Sequence, residues 1–130
     1  MATATIKFVV NPLMPLGTCD QESVVYVGSI TFSGAADTYA TGGLLPLAGF
    51  GLANLGPLAD RTPIVFYIES LNGSGIWYAW NLSTGKLKLL TAAGTGTAGV
   101  TEITNGTALS GITPNVFTDN VAFEVRFPRR

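Results

Sequence analysis

The stretch Val121-Ala122-Phe123-Glu124-Val125-Arg126-Phe127 decides the fold class. Large apolar residues take every second position, and alanine, glutamate and arginine fill the gaps. Strand side chains point alternately to the two faces, so this run is a strand with one face in a core and one toward water. A helix would scatter the same residues around its circumference. Residues 23–33 repeat the pattern. There Val24, Tyr26, Ile30 and Phe32 share one side, and Val25, Val27, Ser29 and Thr31 share the other.

Between these two runs lie residues 63–71, 75–82 and 86–91, all rich in β-branched and aromatic side chains. Asn72-Gly73-Ser74-Gly75 separates the first two and has hairpin length, and Ser83-Thr84-Gly85 separates the next two. Gly85 is placed to supply the positive φ of a three-residue hairpin loop. Residues 63–91 therefore read as a three-stranded meander. Residues 4–10 form a further strand ended by Asn11-Pro12, and residues 100–104 a weaker one before Asn105-Gly106. The expectation is one all-β domain over residues 1–130, an antiparallel sandwich or jelly roll of six to eight short strands. Residues 1–22 lead into it as an arm.

Composition excludes several chemistries. The chain has no histidine, which removes Ser-His-Asp and Cys-His catalysis and histidine-bound zinc. Cys19 is the only cysteine, so no intrachain disulfide or CxxC site forms. A net charge of −1 gives no electrostatic case for nucleic acid, and no basic run suggests a membrane surface. The start, MATATIKFVVNPLMP, lacks a basic segment before an apolar one and reads as unprocessed, so the sequons at Asn72, Asn81 and Asn105 carry little meaning. Neither a metal nor a cofactor is expected, nor any enzymatic activity.

Each motif has a plain alternative. Gly94, Gly96 and Gly99 match GxGxxG, with Asp119 further on, but the following Val-Thr-Glu-Ile-Thr is β-branched. A dinucleotide site needs a helix N-terminus there, so the segment reads as a hairpin loop. Trp77, Tyr78 and Trp80 share one strand, with Tyr78 and Trp80 on one face. That suits a core or subunit seam better than a sugar platform. The carboxylates Asp20, Glu22, Asp37, Asp60, Glu69, Glu102, Asp119 and Glu124 read as solvated, with nothing to pair two of them as acid and base. Pro128-Arg129-Arg130 ends the chain as a basic tail.

Residues 38–59 hold no charged side chain, yet their glycines and prolines argue against a transmembrane helix. Leu44, Leu47, Phe50, Leu52, Leu55 and Leu58 mark an apolar excursion, read either as a loop over the sandwich end or as a surface buried against another subunit. Leu44, Leu47, Phe50, Leu52 and Leu55 are the expected oligomer contacts.

Tyr26-Val27-Gly28-Ser29-Ile30-Thr31-Phe32, followed by Asp37-Thr38-Tyr39-Ala40-Thr41-Gly42-Gly43-Leu44, resembles a family of small virion proteins of tailed bacteriophages. So does the pairing of Ile76-Trp77-Tyr78-Ala79-Trp80-Asn81 with Thr84-Gly85-Lys86-Leu87-Lys88-Leu89. The resemblance spans residues 24–127. The chain departs from the pattern by Asn81, where an aspartate is common, and by a long insert over residues 91–104. It implies a head decoration, or capsid cement, subunit: a β-sandwich or jelly roll, often trimeric, held on the outside of the phage head by the major capsid protein. Neither nucleic acid nor membrane enters that role. Within it the apolar, proline-stiffened residues Leu13, Met14 and Leu16 are the expected capsid contact. A carbohydrate-binding sandwich from a tail or receptor-binding assembly, with Trp77 or Trp80 as platform, is the alternative.

Overall fold

The protein was analysed as a computed structural model, which describes residues 2–10, 18–19, 23–46, 63–92 and 99–128. Nine strands run through them: β1 (Thr5–Val10), β2 (Thr18–Cys19), β3 (Ser23–Phe32), β4 (Leu45–Pro46), β5 (Val65–Ser70), β6 (Trp77–Asn81), β7 (Lys86–Ala92), β8 (Val100–Glu102) and β9 (Val121–Pro128). Two 3-10 turns, Leu109–Gly111 and Val116–Thr118, precede β9. The larger sheet has the order β4-β1-β3-β9-β5, with β2 pairing β3 beyond the end of β1, and the smaller has the order β6-β7-β8. The architecture is an all-β sandwich.

The alternating runs form the middle of the larger sheet. β9 lies between β3 and β5, pairing Tyr26 with Val125 and Gly28 with Phe123 on one side, and Phe66 with Val125 on the other. Val121, Phe123, Val125 and Phe127 are all buried, as the period of two requires. Gly28 leaves no room for a side chain, because an added Cβ would run into the Val9 carbonyl oxygen and stand 2.9 Å from the Phe123 ring. From the smaller sheet, Tyr78, Leu87 and Leu89 close the core. Aromatic rings join the layers. Trp80 lies 4.8 Å from Phe66 and 5.7 Å from Phe8, centroid to centroid. Leu109, Ile112 and Val116, on and beside the 3-10 turns, are also buried in this core.

The meander expected over residues 63–91 is divided between the sheets. β5 pairs β9 in the larger sheet, whereas β6 and β7 form a hairpin in the smaller one. The turn through Asn72–Gly75 therefore carries the chain from one layer to the other, with Gly73 at φ 62° and Gly75 at φ 87°. Glycines that permit positive φ serve such a corner as well as a hairpin. The β6–β7 loop contains the expected Gly85 at φ 64°, but it has four residues, because Asn81 pairs Lys86. β7 and β8 pair antiparallel, and residues 93–98 of the glycine-rich segment between them lie outside the described residues.

The second link between the layers is Leu44. It exchanges backbone hydrogen bonds with Leu87 of β7, 2.8 Å from its own N–H and 2.9 Å to its carbonyl, while the next two residues pair in parallel with β1. A Cβ on Gly43 would lie 2.7 Å from the Leu87 oxygen. The close approach explains the glycine. Leu44 has 0% exposure within its own chain. Its assignment as a subunit contact is corrected, since a side chain with no free area has none to give to a neighbour. Leu47, Phe50, Leu52 and Leu55 lie outside the described residues.

Candidate functional site

Two carboxylates expected to be solvated are instead the centres of polar clusters. Asp119, between the second 3-10 turn and β9, accepts hydrogen bonds from the hydroxyls of Ser70, Ser74 (2.8 Å) and Tyr78 (2.7 Å). These donors come from the end of β5, the crossing turn and β6. The cluster pins the corner where the chain changes sheets. Burial alone would raise the Asp119 carboxyl, but its hydroxyl donors outweigh that and hold it below the usual range. Burial, followed by the hydrogen bond to this carboxylate, pushes the Tyr78 phenol far above its usual value.

Glu102, at the end of β8, accepts from the Tyr39 hydroxyl at 2.8 Å and the Gly42 N–H at 2.6 Å, with Lys88 at 3.8 Å. The Tyr39 oxygen in turn accepts from the Leu89 N–H at 3.3 Å. Burial would raise the Glu102 carboxyl, and the Tyr39 and Gly42 donors overcome it, so its net shift is downward. The Tyr39 phenol is raised, by burial first and by Glu102 second. Both clusters join segments more than 40 residues apart in sequence. Only Lys88, across the β7–β8 pair from Glu102, is a near neighbour in sequence, and the tyrosines that complete the clusters follow no local motif.

Among the described residues no group of three or more histidine, cysteine, aspartate or glutamate side chains is placed to hold a metal ion, and no helix is long and apolar enough to cross a membrane. Trp80 packs inward with Phe8 and Phe66, while Trp77, on the opposite face of β6, is 49% exposed. Leu13, Met14 and Leu16, expected from the sequence to contact a capsid, lie outside the described residues, as do Arg129 and Arg130.

The outer face of the larger sheet is not flat. A hollow of about 720 Å³ lies there. Ser29 and Ala122, paired across β3 and β9, are the small residues of its floor. Val9 and Val27 border it on one side, and Tyr67, Glu69 and Leu71 on the other. Tyr67 and Leu71 are more than half exposed, and Val9 is 39% exposed. Alternation hid this surface, because it distinguishes inside from outside and says nothing of which outside positions are small.

Comparison with protein-family models, with curated proteins and with solved structures finds no match to the chain.

Proposed function

We propose that this chain is a non-enzymatic structural subunit of a virion, a decoration or cement protein bound to the outside of a phage head. The observation that carries the reading is the use made of its most perturbed ionisable groups. Asp119, Glu102, Tyr78 and Tyr39 are turned toward one another as ties between the two sheets and their loops. These ties and the Leu44–Leu87 bridge brace the two layers at separate places, which suits a part that must transmit load. The sparse charge, 12% against about 25% in soluble proteins, and exposed Val9, Tyr67 and Leu71 suit a chain covered by neighbours. The resemblance noted above points the same way.

The mechanism is clamping. A subunit that binds the assembled shell and not its separated parts stabilises the shell by mass action. Repetition over a lattice supplies avidity from individually weak contacts. The apolar arm with Leu13, Met14 and Leu16 is the proposed contact with the major capsid protein, and association into a homo-oligomer, a trimer, adds valency. Quantitative mass spectrometry of purified particles tests the role. A copy number matching the lattice of the shell supports it, and absence from the particle contradicts it.

Exposed Trp77 favours a second reading, a glycan platform on the smaller sheet. Host polysaccharide that shifts Trp77 emission with saturation would support that reading over the first.

A further inference from the structure

We infer that the hollow on the outer face of the larger sheet is a docking groove for an extended segment of a partner protein, one presenting an arginine or lysine between apolar neighbours. The inference goes beyond the virion reading and stands apart from it, since the groove belongs to the folded domain and not to the arm.

Register brings the recognising groups together. Tyr67 of β5 pairs directly with Glu124 of β9, and Glu69 pairs with Ala122, two residues from Glu124. Paired side chains on one face lie about 5 Å apart and diagonal neighbours about 7–8 Å apart, within reach of one bound cation. An aromatic ring beside two carboxylates is a cation site, with attraction to the ring face and charge-assisted hydrogen bonds to the oxygens. The described lining includes Glu69 and Glu124 and no cationic side chain. Arg126 stands 3.8 Å from Glu124, but both are well exposed, and such a pair is weak. Glu69 has no ionic or hydrogen-bonding partner among the described residues. The groove therefore carries one carboxylate, Glu69, that nothing described in the chain balances, beside a second, Glu124, that is held only by an exposed pair with Arg126.

Shape selects the class of partner. The hollow lies on a face that runs from Val9 of β1 across β3 and β9 to β5. Three inter-strand steps of about 4.8 Å make roughly 14 Å, the length of about four extended residues. A lone ammonium would leave Val9, Val27 and Leu71 uncovered. A segment with apolar residues either side of its cation covers them and places the charge over Tyr67. Nucleic acid is disfavoured by the same carboxylates.

The test is an amide NMR titration of the full chain with a short blocked peptide carrying arginine between valines, and with the same peptide carrying citrulline, which keeps the shape and removes the charge. The expected result is shifts at Ser29, Tyr67, Glu69, Ala122 and Glu124, with the arginine peptide bound about tenfold more tightly, one step of about 1.4 kcal/mol. Glu69→Gln should lose most of that preference while its remaining spectrum is unchanged, since the exposed Glu69 side chain holds no contact of the fold. Equal binding of the two peptides, shifts confined to another surface, or no shift at about 10 mM peptide overturns the inference. Equal shifts from a free polyamine overturn the protein segment as occupant.

Discussion

Tyr78 and Asp119 stand 41 residues apart in sequence and 2.7 Å apart in space, the phenol of the smaller sheet donating to a carboxylate that leads into β9, an interior strand of the larger one. The bond holds the corner at which the chain leaves β5 for β6, and the Ser70 and Ser74 hydroxyls complete it. A hydrogen bond to a charged group contributes about 1.5–3 kcal/mol. Tyr78→Phe should lower unfolding free energy by that amount at neutral pH, and Asp119→Ala by more, because the buried phenol then loses its acceptor. Urea denaturation measures both.

The same contact sets an acid limb. The folded carboxyl of Asp119 is held below its unfolded value, so the stability it contributes is present above about pH 4 and is lost as pH falls through the folded value. Glu102 behaves alike. The gap between the parent chain and Tyr78→Phe should therefore narrow in denaturation curves taken below pH 3. A constant gap would mean that the charge on Asp119 is irrelevant to the bond.

An alkaline limb follows from the two phenols. Tyr39 and Tyr78 are both raised in the fold, so their contribution is complete below about pH 10 and is lost as pH rises further, when the unfolded chain ionises first. Tyrosinate absorbance should show a late component that appears together with unfolding. Tyr39→Phe combined with Tyr78→Phe should reduce that component, leaving only what the buried Tyr26 releases on unfolding.

Gly43 and Gly42 offer a matched pair. Both have positive φ, 119° and 95°, but an added Cβ meets nothing within 4 Å at Gly42 and the Leu87 backbone at Gly43. Gly42→Ala should cost about 1 kcal/mol of backbone strain, and Gly43→Ala clearly more, because the Leu44–Leu87 bridge must open to admit the methyl. Melting temperatures of the two variants provide the comparison.

What could be read from the sequence follows from what periodicity measures. Alternation in Val121–Phe127 and Ser23–Phe32 reports which face of each strand is buried, and the structure agrees at Tyr26, Ile30, Phe123 and Val125. It does not report which strand pairs with which. The turn after Ser70 looked like a hairpin, because a glycine turn of that length serves equally as a corner between layers. The Asp119 and Glu102 clusters were invisible for a related reason: their donors come from segments that only the sandwich brings together. Leu44 was read outward by its apolar neighbours, whereas the glycine before it lets its backbone reach β7 and turns it into the core.

The central claim is that this sandwich decorates the outside of a phage head, and an averaged image of the intact particle tests it most directly. The account predicts density on the outer shell, repeated with the capsid lattice, into which the two-layer domain fits. A shell without that density, or the same density in the tail, would contradict it.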